Sequence, residues 1–287
     1  MLQGRLIRML LLLGVLGLSA TLAFAACGDD EASPTVTAGP TDDGGSDTSA
    51  VPELDDGVLT LGSDIAYAPI EFYIEGTETP DGLDVDIAKA IGEVLGVEVE
   101  FVNTGFDGII LSLQSEDFDA IMSAMTVTEE RELEIDFVPY VNVGTGILVP
   151  AGNPDDVQEL EDLCGLTVAV QAATIQVDLL ETQNESCTEK IIVVTFDSNP
   201  LAVEDLKTGG SDANLSDFPV AFVDAEESDD ALEVLDVQID PAPYGIGVRK
   251  ESPELAALLL EALAAIKASG EYDDILAKWN LSAAALE

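Results

Sequence analysis

From Leu59 onward the chain alternates short strand-like runs with helix-like ones, and it does so in two successive series. Leu59-Thr60-Leu61-Gly62 alternates as a strand should. Leu83, Ile87, Ile91 and Val94/Leu95 recur at helical spacing, and Gly96 stops the helix. Val97 to Val102 alternates again, Asn103-Thr104-Gly105 turns the chain, and Phe106 to Gln114 reads as a helix. Ala120 to Met122, bounded by Asp117 and Asp119, reads as a buried strand. The order βαβαβ implies an α/β fold with a parallel sheet and crossover helices. Phe137 to Tyr140 and Gly146 to Pro150 read as short extended pieces. The second series follows, with strands at Leu166–Val170, Ile191–Phe196 and Asp212–Asp217. A helix ends at Leu160–Leu163, and others open at Ala172–Gln176, Leu201–Lys207 and Phe218–Val223. A strand over Tyr244–Arg249 and helices over Pro253–Ala268 and Tyr272–Trp279 remain to rejoin the first series. That count gives two lobes and two chain crossings.

Open α/β sheets bind ligands beyond the carboxyl ends of their strands. Asp119 to Arg131 is such an end: a strand, a bend carrying Ser123 and Thr126, then Thr128-Glu129-Glu130-Arg131. Thr128 has the place of an N-cap before an acidic first turn. Hydroxyls, free backbone N–H groups and a guanidinium converging there suit a carboxylate. The alternative for Arg131 is a solvated helix residue pairing with Glu129 or Glu134, a contact worth little. Asp217 holds the equivalent strand-to-helix step of the second series. It could receive an ammonium group or serve as a plain N-cap. The Gly- and Pro-bounded loop Ser63 to Phe72, with Tyr67 and Phe72, reads either as a cleft wall or as core packing.

Composition narrows the function. The 287 residues carry a formal charge of −47, with 57 acidic residues against 10 basic ones. No nucleic-acid partner is expected, because no electrostatic footprint for one exists. Salt screens the self-repulsion of such a charge, which points to a saline habitat. There is no His, so His-based catalysis and His metal sites are excluded. No cofactor or metal is expected. Cys164 and Cys187 read as a disulfide in an exported protein, worth roughly 3 kcal/mol in the chain-entropy model, or else as two buried thiols.

Residues 1–26 have the parts of a secretory signal: Arg5 and Arg8, a Leu-rich core from Met9 to Leu18, then small residues up to Cys27. Cleavage there removes two positive charges and no acid, taking −47 to −49. Cys27 reads as a lipidated first residue, or as an unpaired thiol after ordinary cleavage; Phe24 stands where Leu is usual in lipoprotein signals. Residues 27–56 read as a flexible acidic tether.

These segments together resemble the lipoprotein form of bacterial solute-binding protein family 3, the extracytoplasmic amino-acid-binding proteins of ABC importers. The resemblance spans about Gly57 to Asn280. It rests on Gly62–Phe72, Gly82-Leu83-Asp84-Val85-Asp86-Ile87-Ala88, Asp119–Arg131 with Ile135-Asp136-Phe137, Tyr244–Lys250 and Tyr272–Trp279. It implies a periplasmic-binding-protein-like fold of type II, two Rossmann-like lobes on a two-strand hinge. Lobe 1 would be 57–149 plus 240–287, and lobe 2 150–239. By the resemblance, Arg131 holds a ligand α-carboxylate with Ser123 and Thr126, and Asp217 takes the α-ammonium from the other lobe. Tyr67 and Phe106 line the side-chain slot and Asp64 touches a polar side chain. Ala124 stands where many relatives have a hydroxyl or glycine. Ala173-Thr174-Ile175-Gln176 replaces a common Gly-Thr/Ser-Thr-Gln, with Thr174 and Gln176 left to compensate for the hydroxyl lost at Ile175. The implied partners are a free amino acid, a membrane permease and, through Cys27, the membrane; the protein would be a monomer.

An enzymatic alternative exists, because a few relatives on this fold are dehydratases of the cyclohexadienyl or arogenate type. They need a poised acid in the cleft, and Glu71 or Asp64 could be proposed without anything singling out either. No fused lytic domain is expected after Trp279. A sensory module that presents ligand to a shared receptor is a third reading.

Overall fold

The computed structural model describes Thr48 and residues 51–286. The signal segment, Cys27 and the tether as far as residue 47 lie outside the described residues. Strands are β1 (Val58–Ser63), β2 (Ala66–Tyr67), β3 (Glu71–Tyr73), β4 (Pro80–Asp81), β5 (Glu98–Asn103), β6 (Ala120–Ile121), β7 (Ile135–Pro150), β8 (Thr167–Gln171), β9 (Ile192–Phe196), β10 (Ala213–Asp217), β11 (Leu232–Val234) and β12 (Ile239–Arg249). Helices are α1 (Leu83–Leu95), α2 (Ile109–Gln114), α3 (Arg131–Glu134), α4 (Ile175–Ser186), α5 (Asn199–Lys207), α6 (Phe218–Glu226), α7 (Pro253–Ser269) and α8 (Glu271–Lys278). The main sheet has the order β5-β1-β6-β12-β7-β10-β8-β9, with β11 beside β7. Strands β2, β3 and β4 form a separate small sheet.

The order reads the same from both ends. In the first half β1 pairs in parallel with β5 on one side and β6 on the other, and β12 runs antiparallel to β6. In the second half β8 pairs in parallel with β9 and β10, and β7 runs antiparallel to β10. Each half therefore reverses strand order at its first strand, and the crevice at such a switch point is where a ligand sits. The exits of β1 and β6 in one half face those of β8 and β10 in the other.

The two expected extended pieces around residues 137–150 are one sixteen-residue strand, β7. Its first part, Ile135–Val143, pairs with β12, and Thr145–Leu148 pairs with β10. Partners on both sides carry it through Gly144, where the apolar alternation lapses. The first crossing therefore falls at Gly144, not at the expected 149/150. The second lies near Asp240, since Ile239 pairs with Thr145. The two long strands β7 and β12 lie side by side at both crossings and form the hinge.

Each half has its own core. Leu59, Leu61, Leu83, Ile87, Ile91, Val138, Ile246, Leu259 and Leu263 are buried together in the first. Ile147, Val149, Leu163, Val168, Val170, Leu180 and Leu215 are buried together in the second. Val51 and Leu54 belong to the first core, and Glu53 forms an ion pair with Arg249 at 3.2 Å. The folded body thus begins at Val51, six residues inside the expected tether, because two apolar side chains there have a core to enter. The helix expected from Phe106 starts at Ile109, since Gly108 holds a left-handed φ of 91°. The stretch expected to end a helix at Leu160–Leu163 is a 3-10 turn. Cys164 and Cys187 form a disulfide that fixes the C-cap of α4 to the strand-leading turn before β8. Among the described residues no helix is long and apolar enough to cross a membrane.

Candidate functional site

The exits of β1, β6, β8 and β10 meet at one cavity with about 330 Å³ of atom-free space, counted out to its open mouth. All ten residues singled out in the sequence line it: Asp64, Tyr67, Phe106, Ser123, Ala124, Thr126, Arg131, Thr174, Gln176 and Asp217. Glu71, Gln171 and Ile175 complete the lining.

Arg131 opens α3, which is a single turn, and its backbone N–H donates to Thr128 Oγ1 at 3.2 Å. Its guanidinium makes no ion pair with Glu129 or Glu134. It donates to the backbone oxygens of Thr126 at 2.8 Å and of Ala173 at 3.0 Å, and lies over the Phe106 ring at 5.4 Å. Burial lowers its pKa, against the pull of Asp217, Asp178 and Glu130. A partly buried guanidinium, stacked and bonded only to neutral oxygens, is poised for an anion.

Asp217 ends β10 and precedes α6, yet its side chain makes no cap bond. Its Oδ2 accepts from Tyr67 Oη at 3.0 Å and its Oδ1 from Gln176 Nε2 at 3.0 Å. Its own N–H donates to Tyr67 Oη at 3.0 Å. Burial raises the carboxyl to about 6, opposed by the Tyr244, Tyr67 and Gln176 side chains and by Arg131. The plain-cap reading is thereby set aside; the side chain is aimed across the cleft.

Asp64 follows β1. Its Oδ2 accepts from Gln171 Nε2 at 2.6 Å, and its backbone N–H donates to Ser123 Oγ at 2.9 Å. Burial raises its pKa, and Gln171 and the Phe106 N–H act against that. Ser123 donates its own proton to Glu71 Oε1 at 3.2 Å. Thr174 likewise donates its hydroxyl to the Gln171 carbonyl at 2.8 Å. Neither hydroxyl is therefore free to donate to a carboxylate in this arrangement. The bends carry backbone strain: Ala124 has φ 48° and Ala173 φ 61°. The Ala124 N–H donates to Asp84 Oδ2 at 3.0 Å.

Four bonds join the halves of the molecule across the cavity: Gln171 to Asp64, Tyr67 Oη to the Asp217 carboxylate, the Asp217 N–H to Tyr67 Oη, and Arg131 to the Ala173 carbonyl. Gln171 was not singled out, although it ends β8 as Asp217 ends β10. The polar residue after the apolar run Val168–Val170 was the available signal. Among the described residues no cluster of three or more His, Cys, Asp or Glu side chains could hold a metal. The site can pair an anion with Arg131 and cations with Asp217 and Asp64.

Residues 59–282 match the family described as bacterial extracellular solute-binding proteins, family 3. The histidine-binding periplasmic protein of Escherichia coli strain K12 is 31% identical over 229 residues, covering 77% of this chain and 86% of that protein. The arginine-binding extracellular protein ArtP of Bacillus subtilis is 30% identical over 225 residues, covering 77% and 85%. The solved structure of an ancestral arginine-binding protein bound to arginine superposes with a TM-score of 0.74 at 36% identity, covering 78% of this chain and 98% of that one. A two-lobed α/β body with opposed charges across its hinge, matched along nearly all of its folded length, makes this chain a member of the bacterial extracellular solute-binding proteins, family 3, with the type II periplasmic-binding-protein fold.

Proposed function

We propose that the protein captures a free amino acid between its two lobes and hands it to the permease of an ABC importer, without chemistry of its own. The observation that carries this is the placement of Arg131 and Asp217 in different lobes on one cavity. The α-carboxylate would pair with Arg131 and the α-ammonium with Asp217, so one ligand favours the closed arrangement through both lobes. The side chain would lie between Tyr67, Phe106 and Asp64. Charge argues that it is cationic. A zwitterion neutralises Arg131 and Asp217 and leaves Asp64 with only the neutral Gln171, whereas a third, positive group completes the pairing. Relatives named for arginine and histidine accord with that choice.

Residues 1–26 would be removed on export and Cys27 lipidated, so that residues 28–50 tether the folded body to the outer face of the cell membrane. Metabolic labelling with a fatty-acid probe, lost in Cys27→Ala, tests the anchor.

The ligand class is tested by thermal shift of residues 48–287 against the twenty amino acids, in dilute and in molar salt. A ligand at about one hundred times its dissociation constant stabilises by about 2.7 kcal/mol. A response confined to basic amino acids is expected. A folded, ligand-free preparation that responds to none of the twenty would overturn the reading.

A further inference from the structure

Glu71 lines the cavity but is only 1% exposed, and Asp84 behind it is fully buried. Neither forms an ion pair with any Lys or Arg among the described residues. The charged groups that act most on Glu71 are acids: Asp84 from α1, Asp64 from the exit of β1 and Asp217 from β10; Arg131 shares the cavity but forms no ion pair with Glu71. Tyr67 from β2 and Tyr140 from β7 also feel its charge. The Asp84 carboxylate lies near enough to Glu71 to oppose its ionisation, and the donors that serve the two come from the adjacent residues Ser123 and Ala124.

Their donors are unequal. Asp84 accepts the Ala124 N–H on Oδ2 at 3.0 Å and the Tyr140 O–H on Oδ1 at 2.7 Å. Glu71 accepts only the Ser123 O–H, on Oε1, and its buried Oε2 meets no N–H or O–H. Two adjacent carboxylates without a countercharge do not both ionise in a buried site. A buried carboxylate oxygen without a donor is also unfavourable. One proton between the pair resolves both difficulties, and the donor imbalance places it on Glu71, from which it is donated to Asp84.

We propose that Glu71 is a positioning residue that works as a neutral carboxylic acid, its proton tying together the three ligand-facing residues Asp64, Ser123 and Ala124. The Asp64 N–H donates to Ser123, Ser123 donates to Glu71, and the Ala124 N–H donates to Asp84. The proposed proton, donated from Glu71 to Asp84, is the link that joins these bonds into one chain. The exits of β1 and β6 are thereby held in one register. Burial and the neighbouring Asp84 and Asp64 carboxylates hold Glu71 well above the ordinary carboxylate range, in keeping with this role. The inference deepens the amino-acid-binding reading, but the protonation itself needs no ligand to be tested.

The test is infrared spectroscopy of the ligand-free protein at about pH 8, where exposed carboxyls are ionised. A protonated-carboxyl stretch that moves on 13C labelling of glutamate and vanishes in Glu71→Gln is expected. A labelled protein with no glutamate-derived band overturns the proposal, whether or not any amino acid binds. The functional arm is calorimetry with arginine. Glu71→Ala should bind at least about tenfold more weakly, one buried bond network being broken. Glu71→Gln keeps one acceptor for Ser123 and one donor for Asp84, and should recover most of that loss. If Glu71→Gln binds no better than Glu71→Ala, the site needs the ionised carboxylate and the proposal fails. Absence of arginine binding in the wild type would count against arginine as the ligand and not against the protonation, which the infrared result decides.

Discussion

Replacing Asp217 by Asn separates what this carboxylate does for the ligand from what it does to the fold. Its carboxyl is raised from 3.8 to about 6, chiefly by burial. At 1.36 kcal/mol per pH unit, keeping it ionised at about pH 8 opposes folding by about 3 kcal/mol. The uncharged amide would remove that cost. It would also lose one of the two side-chain bonds from Tyr67 and Gln176, at about 1 kcal/mol, and set an amide donor against the other donor. The net gain at about pH 8 is on the order of 1–2 kcal/mol, or several degrees in Tm for a body of this size. The sign depends on pH in a defined way. A carboxyl raised in the folded state favours folding while it is protonated, and this contribution is lost as pH rises from about 4 to about 6. The variant lacks that loss. It should be more stable than wild type at about pH 8 and less stable at about pH 4, where only its missing bond counts. Binding should move the other way: removing the partner of a buried ammonium costs about 2–5 kcal/mol, roughly 30-fold to several thousand-fold in Kd. Scanning calorimetry across this pH range and titration with arginine give both numbers. A stability difference that does not change with pH, or a Kd within threefold of wild type, would refute the assignment of Asp217 as a strained ligand-facing ion.

Four further outcomes are expected. Arg131→Ala should lose at least about a hundredfold in affinity for the responding amino acid, and Arg131→Lys should restore little of it, because an ammonium lacks the planar fork; isothermal titration decides. Reducing the Cys164–Cys187 bond should lower stability by about 3 kcal/mol in a thermal melt, since it closes a loop over a sequence separation of 23. Gly82→Ala should unfold the body or cost at least about 3 kcal/mol by denaturant titration, because Gly82 has φ 135° and a Cβ there would stand 2.2 Å from the Ile70 carbonyl oxygen. Salt should raise the Tm from dilute to molar concentration by screening the −47 charge; indifference to salt would count against adaptation to a saline habitat.

The strand exits were legible because each ends an apolar run with a polar residue, and the sheet order places those ends together. Asp217 and the Ser123–Arg131 bend were found in that way. Gln171 obeys the same rule and was passed over, since an amide after a strand carries no charge to draw notice. Strand β7 was read as two pieces because Asn142 and Gly144 interrupt its alternation. Its continuity comes from β12 and β10, which are distant in sequence. The roles of Ser123 and Thr174 were beyond reach for a related reason. A hydroxyl has one proton, and only the fold shows that Glu71 and the Gln171 carbonyl already hold it. Val51 and Leu54 look like tether residues until a core is present to receive them.

The cross-cleft bonds define what a ligand must outdo. Asp217 already has Tyr67 and Gln176, Asp64 has Gln171, and Arg131 has two backbone carbonyls. A neutral guest exchanges one such bond for another and gains little, because the exchange leaves the same number of satisfied groups. An ammonium against Asp217 and a carboxylate against Arg131 replace neutral partners with charged ones, and charge-assisted bonds are about twice as strong. Selectivity for a zwitterion therefore follows from the site's being satisfied by its own residues, which sets a threshold that only opposite charges at both ends of one molecule pass. On the proposed reading, side-chain preference is set at Asp64. Its sole side-chain partner is an uncharged amide, so a cation arriving there makes the largest remaining gain in the cavity. A Glu71 kept neutral by its proton would add no second claim on that cation and would leave Asp64 as the acid that sets the choice.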